Sequence, residues 1–99
     1  MSSRKELYDL VHSIPEGRVC AYGALGSALD NRVSGIVVGR WMAQSPDGVP
    51  WWRVVAKNGA LPIEKRNPYL GMDQQQLLEN EGVAFVDGRV DMAAHIWEP

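Results

Sequence analysis

Ninety-nine residues, 45% hydrophobic and 22% charged, predict one domain over 1–99 with a single modest core. The formal net charge of −2 argues against a general polyanion binder, and no apolar run reaches the ~20 residues of a membrane span. A lone cysteine, Cys20, excludes an internal disulfide, and Met1–Glu6 lacks the apolar stretch of a secretory signal, so a cytoplasmic monomer is expected.

Ser3 and Glu6 have the spacing of a capping box, and Leu7, Leu10, Val11 and Ile14 then repeat at helical intervals until Pro15-Glu16-Gly17. Residues 18–22 read as a short extended link. A short helix is predicted from Gly23 to Leu29, a turn and cap at Asp30-Asn31, and a longer helix from Arg32 to Gln44. That outline is a helix-turn-helix. Gly35 and Gly39 share a helical face and serve either close helix packing or a smooth surface for a backbone to approach.

Ser45-Pro46-Asp47-Gly48 breaks the helix. Trp52–Val55 has the residues of a strand, and Asn58-Gly59 signals a turn into a small hairpin with 60–63. Residues 62–71 read as an irregular, partly basic loop. A helix is predicted from Asp73, as N-cap, to Glu81, with Leu77 and Leu78 inward and Gly82 as its stop. Val83–Val86 and Arg89–Met92 flank Asp87-Gly88 as a hairpin. The expected class is α+β: a small, winged-helix-like helix-turn-helix domain with short β-hairpins.

The sequence carries no Cys/His metal spacing, no phosphate-binding glycine loop and no nucleophile elbow, so neither metal nor cofactor is expected. His12 and His95 read as surface or structural residues, and Cys20 as a packed, inert thiol. The remaining chemistry is aromatic and cationic: Tyr22, Trp51, Trp52, Arg53 and Arg66. Such residues suit stacking on a planar heterocycle. The alternative is that both indoles fill the core. On an extended segment, one would point inward and one outward. Between 31 and 66, Arg32, Arg40, Arg53, Lys57, Lys65 and Arg66 stand against Asp47 and Glu64 alone, which marks this stretch as the face toward a polyanion.

Five ordered motifs carry a resemblance. They are Gly17-Arg18-Val19-Cys20-Ala21-Tyr22-Gly23, Val38-Gly39, Pro50-Trp51-Trp52-Arg53-Val54-Val55, Asn58-Gly59-Ala60-Leu61 and Leu77-Leu78-Glu79-Asn80-Glu81-Gly82. Together they resemble the DNA-binding domain of the alkylguanine-DNA alkyltransferase family, over residues 5 to 97, and in particular its alkyltransferase-like members. The family's active-site motif is Pro-Cys-His-Arg-Val. Here Trp51 stands at the nucleophile's position and Trp52 at that of its histidine partner, and Glu81 resembles the carboxylate that orients that histidine. Alkyl transfer needs a thiolate. The resemblance therefore implies a non-enzymatic protein that binds duplex DNA containing O6-alkylguanine and flags it for nucleotide excision repair proteins.

In that scheme the helix-turn-helix lies in the minor groove, and Tyr22 rotates the damaged nucleotide out. Arg32, Ser34, Gly35, Ile36 and Arg40 contact DNA. The base enters a pocket of Pro50, Trp51, Arg53, Val54, Arg66 and the 62–71 loop, with Arg66 placed for a cation–π contact. Arg53 has a second expected role, bonding backbone carbonyls at the pocket floor. Two departures stand out: Ile36 occupies the family's arginine-finger position, and the pocket loop is three residues longer than usual. The alternative is a helix-turn-helix regulator or an interaction module that kept the fold without lesion recognition.

Overall fold

Leu7 and Val11 lie on one face of helix α1 (Arg4–His12) and are completely buried. The helix ends in a tight turn, with the Ser13 and Ile14 N–H groups donating to the Leu10 and Val11 carbonyls, and Ile14 drops into the same core. The structure is a computed structural model that describes residues 4–61 and 68–99, with backbone alone at 68–70. Ser3 of the predicted capping box lies outside them. The Glu6 carboxylate instead accepts the Asp30 N–H at 3.3 Å, tying α1 to the turn between the next two helices.

The link at 18–22 is a strand. β1 (Cys20–Ala21) pairs in parallel with β2 (Val54–Val55), Cys20 opposite Val54 and Ala21 opposite Val55. On the other side of Val19, the C-terminal segment forms a parallel bridge at Ile96. All of Val19, Cys20, Val54 and Val55 are buried, as expected where both sheet faces are covered.

Helices α2 (Tyr22–Ala28) and α3 (Gly35–Ala43) form the helix-turn-helix. The second helix starts three residues later than predicted, and its cap is Ser34, whose Oγ accepts the Val37 N–H, not Asp30 or Asn31. Tertiary packing explains the shift. The Val33 N–H donates to the Gly26 carbonyl, so residues 29–34 fold back along α2 before α3 can begin. Gly26 is the tight point: a Cβ there would overlap the Val33 carbonyl oxygen and press on the Val38 side chain. Gly35 serves the same contact, its would-be Cβ 3.3 Å from the Gly23 nitrogen, whereas Gly39 faces open space. Gly26→Ala is expected to lower stability by about 1–3 kcal/mol in urea unfolding, whereas Gly39→Ala raises it slightly by helix propensity.

The segment after Pro50 is not the predicted strand. Trp51–Arg53 is a 3₁₀ turn, closed by Arg53 N–H to the Pro50 carbonyl, and the strand is only Val54–Val55. Asn58-Gly59 makes the expected turn, with Ala56 N–H donating to the Ala60 carbonyl and Asn58 Oδ1 accepting from Ala60, but no strand follows at 60–61, and 62–63 lie outside the described residues.

Helix α4 (Pro68–Asn80) begins before the predicted Asp73, which sits exposed within it. Proline opens a helix without losing a hydrogen bond, so Pro68 is a natural first residue. Leu78 is buried, Leu77 half-buried, and Val83 N–H returns to the Leu78 carbonyl past Gly82. β3 (Phe85–Val86) and β4 (Arg89–Val90) form the predicted hairpin, with Asp87 and Gly88 at φ 53° and 77°, as a type I′ turn requires. Helix α5 (Met92–His95) closes the chain.

Two apolar clusters result. The first joins Leu7, Val11, Ile14, Cys20, Leu25, Leu29, Val38, Met42, Val49 and Val54. The second joins Val19, Val55, Leu61, Leu78, Val83 and Val90. The parallel strands run between them. Among the described residues, no helix is long and apolar enough to cross a membrane.

Candidate DNA-lesion site

The 3₁₀ turn places its two indoles in a way an extended strand would not. With three residues per turn, successive side chains point about 120° apart. Trp51 packs against the first cluster and Trp52 against the second, both half-buried, with ring centroids 6.1 Å apart and planes at 85°. This edge-to-face contact is a favoured aromatic geometry.

Glu81, at the end of α4, gathers this turn. Its Oε2 accepts the Trp52 indole N–H at 2.8 Å and Arg53 Nη2 at 2.7 Å, and its Oε1 accepts Arg53 Nε and the Gly17 N–H, both at 3.0 Å. Arg53 Nη1 donates to the Ile14 carbonyl at 3.0 Å, and its Cζ lies 5.6 Å from the Trp52 ring centroid. The side chains of Arg53 and Glu81 are only 15% and 9% exposed, so this half-buried pair is largely shielded from solvent. Burial pushes the Glu81 carboxyl up, but hydrogen bonds from Arg53, Gly17 and Trp52, together with the Arg53 charge, outweigh it and hold the group below its usual range. Gly17 meets Glu81 only because it is glycine. It sits at φ +83°, and a Cβ would come within 3.2 Å of the Glu81 carbonyl oxygen.

From α4, the buried Gln74 also holds the turn, its Nε2 donating to the Trp52 and Val54 carbonyls, each at 3.0 Å.

Beside the indoles lies a partly open cavity of about 340 Å³, lined by Met42, Ala43, Ser45–Val49, Trp51 and Trp52. That volume falls within the roughly 300–1,000 Å³ of small-molecule sites. A larger depression, about 580 Å³, lies between Lys57-Asn58 and the β3–β4 hairpin. It contains neither indole and is more open.

Of the five expected pocket residues, Trp51 lines this cavity. Pro50 and Val54 are buried and do not line it, because the 3₁₀ turn directs them into the fold. Arg53 takes the second of its two expected roles, bonding the Ile14 carbonyl and Glu81, so it adds no free charge to the basic middle stretch. Arg66, Lys65 and the rest of the 62–67 loop lie outside the described residues. The sequence reading missed Met42 and the 45–49 loop as walls. Ser45-Pro46-Asp47-Gly48 was legible as a break, and a break after the second helix of the helix-turn-helix and before a Trp pair is the signal that locates a wall.

The expected DNA-contacting residues Arg32, Ser34, Gly35 and Ile36 lie at or just before the start of α3, and Arg40 in its last turn. Ile36 is 72% exposed, and Arg32, Ser34 and Arg40 are exposed as well. Half-buried Tyr22, which opens α2, lies beside them, its Cβ 3.5 Å from the position of a Cβ on Gly35. From Ile36 to Met42 the helix rises about 9 Å. One helix thus carries the exposed apolar residue in its first turn and a cavity wall in its last.

Cys20 does not reach the cavity. It is a fully buried residue of β1, and burial pushes its thiol up to about 11. Among the described residues, no three or more His, Cys, Asp or Glu side chains cluster as metal ligands do.

Comparison with known proteins agrees with this architecture. The family model for the 6-O-methylguanine DNA methyltransferase DNA-binding domain matches residues 2–83. A DNA base-flipping protein of Vibrio parahaemolyticus is 28% identical over 98 residues, covering 95% of this chain and 94% of that one. A bifunctional methyltransferase/endonuclease of Picrophilus torridus is 32% identical over 89 residues, 87% of this chain but 28% of that one. The crystal structure of S. pombe Atl1 with damaged DNA containing O6-carboxymethylguanine superposes with a TM-score of 0.84 at 27% identity, covering 100% of both chains. With the helix-turn-helix, the Trp-Trp turn and the Glu81 anchor in place, the chain belongs to the family of the 6-O-methylguanine DNA methyltransferase DNA-binding domain, as an alkyltransferase-like protein.

Proposed function

We propose that this protein binds duplex DNA through the minor groove, turns an O6-alkylated guanine out of the stack and holds it against Trp51 without removing the alkyl group. The observation that carries the reading is Trp51 itself. Its indole lines a cavity of suitable volume, the resemblance of Pro50–Val55 to the family's motif sets it at the nucleophile's position, and an indole has no atom that attacks an alkyl carbon. Trp52 fills the histidine's position, but its N–H is engaged by Glu81 and it cannot act as a base.

The steps follow from placement. Arg32 and Arg40 meet phosphates, and the exposed Ile36 enters the base step as an apolar wedge. Tyr22 presses on the backbone to rotate the damaged nucleotide, a motion that costs a few kcal/mol and least for a poorly paired base. The base stacks on Trp51, and the alkyl group lies toward Met42 and Pro46. The stable complex, with the lesion intact, is then a mark for nucleotide excision repair proteins. Support comes from the Atl1 complex with damaged DNA and from the base-flipping name of the Vibrio relative.

The test is a titration of the full chain with a duplex bearing O6-methylguanine and with the same duplex unmodified, at two salt concentrations. Tighter binding of the modified duplex, with both affinities falling as salt rises, is the expected result. Equal affinities sink the lesion reading and favour a regulator that reads intact DNA. No binding to either duplex favours an interaction module.

Mass spectrometry after incubation with the modified duplex should find no added alkyl mass on Cys20, because burial disfavours its thiolate and leaves it no exposed surface. An alkylated Cys20 overturns the non-enzymatic reading.

A further inference from the structure

The Ala84 N–H donates to His95 Nε2 at 3.0 Å, so Nε2 carries no proton and the neutral ring holds its proton on Nδ1. Nδ1 lies 3.2 Å from the Gly17 carbonyl oxygen, which only accepts, and donates to it. One imidazole thus joins the residue before the hairpin to the loop between α1 and β1. Gly17 faces both ways: its carbonyl meets His95, and its N–H meets Glu81 Oε1 at 3.0 Å. The same carboxylate holds the Trp52 indole N–H through Oε2.

The end of this chain of contacts is itself anchored. The Val19 N–H donates to the His95 carbonyl at 3.0 Å, the Trp97 N–H to the Val19 carbonyl at 2.7 Å, and Arg18 Nη1 to the Ala94 carbonyl at 3.0 Å. The imidazole therefore sits on a fixed frame, and the loop it grips approaches Glu81 so closely that a Cβ on Gly17 would crowd the Glu81 backbone.

We propose that His95 is a positioning residue for the lesion site. Through Gly17 it fixes the Glu81 carboxylate, and through Glu81 it fixes the Trp52 wall of the cavity. The role in recognition rests on the function proposed above; the positioning itself does not. His95 touches neither the cavity nor the indole. It acts by holding the Gly17–Arg18 peptide, which is joined through the Gly17 Cα to the peptide whose N–H meets the carboxylate. Freed of that hold, Gly17 shares the Glu81 oxygen with water and the Trp52 bond loosens.

Three variants of the full chain test this. His95→Ala and His95→Phe lack both hydrogen bonds, and Phe keeps the ring's bulk. His95→Gln retains both, its oxygen accepting from Ala84 and its amide donating to Gly17. The readout is hydrogen exchange of the Trp52 indole proton by NMR, its resonance identified by its loss in Trp52→Phe. Exchange should quicken about fivefold in the Ala and Phe variants, the worth of one net hydrogen bond, and stay at the wild-type rate in His95→Gln. The Val38 amide proton, which is bonded to the Ser34 carbonyl in α3, should be unaffected in all three, which a general loosening of the fold would not spare. The affinity ratio for O6-methylguanine over unmodified duplex should fall by a similar factor in Ala and Phe only.

The positioning role is overturned if Trp52 exchange is unchanged in the folded Ala and Phe variants, if glutamine fails to restore it, or if neither Ala nor Phe variant folds. A wild-type protein that does not discriminate the two duplexes defeats the proposed function instead, and the exchange measurement still decides the role of His95.

Discussion

Glu81→Ala lowers the unfolding free energy by about 3–5 kcal/mol, read as a reduced midpoint in urea. The reason is the number of groups that lose their partner at once. Arg53, with a side chain only 15% exposed, keeps its charge and its bond to the Ile14 carbonyl but loses the counter-ion, and the Trp52 and Gly17 N–H groups are stranded beside it. An uncompensated charge largely shielded from solvent is more damaging than the loss of a surface pair, which is worth about 0–1 kcal/mol. For a domain whose total stability is of order 5–15 kcal/mol, the variant stands near the limit of folding. Glu81→Gln should fall between the two, since an amide oxygen still accepts from Trp52 or Arg53 but offers no charge.

The same carboxylate sets an acid sensitivity. Its folded state is held below the ordinary carboxylate range, so the stabilisation is complete above the unfolded value of about 4.3 and is lost as pH falls through the lower folded value. Wild-type stability should drop across that acid window, and the drop should be shallower in Glu81→Gln. Parallel acid profiles for the two proteins would show that Glu81 does not supply the dependence.

Trp51→Ala should reduce affinity for the O6-methylguanine duplex by about 1–3 kcal/mol, the range measured for stacking of one base on an aromatic ring. That is roughly 5- to 150-fold in Kd. Affinity for the unmodified duplex should change much less, and the slope of log affinity against log salt should stay the same, because no phosphate contact is removed. Trp51 also packs against the first apolar cluster, so some stability is lost, and binding is measured at a temperature where circular dichroism shows the variant folded. Equal losses on both duplexes would mean that Trp51 supports the fold and does not receive the base.

Much of this protein is readable from local rules. The first helix announces itself by Leu7 and Val11, and the hairpin by Asp87-Gly88, because both patterns depend on residues a few positions apart. The helix-turn-helix was legible in outline, but its second start was not. Asp30-Asn31 has the chemistry of a cap, yet the Val33–Gly26 hydrogen bond delays α3 to Ser34. A local preference of about 1 kcal/mol yields to a close packing contact. Asp73 likewise resembles a cap, but Pro68 opens the helix earlier.

Around the site the division is similar. Trp51 and Trp52 were recognisable as the residues of interest, and their strand-like neighbours suggested extended backbone. The 3₁₀ turn wins because Arg53 has to reach the Ile14 carbonyl and Glu81 together, and both partners are remote in sequence. Pro50 and Val54 leave the cavity for the same reason, while Met42 and the 45–49 loop enter it.

By itself, the order of residues determined which side chains are available: the paired indoles, the two helices of the helix-turn-helix in outline, and the carboxylate that follows α4. Only the three-dimensional packing decided what those groups hold. Glu81 binds Trp52, Arg53 and Gly17, and His95 grips Gly17 from a different part of the chain. Such contacts span 28 to 78 positions, beyond the few residues over which helix periodicity, caps and turns act.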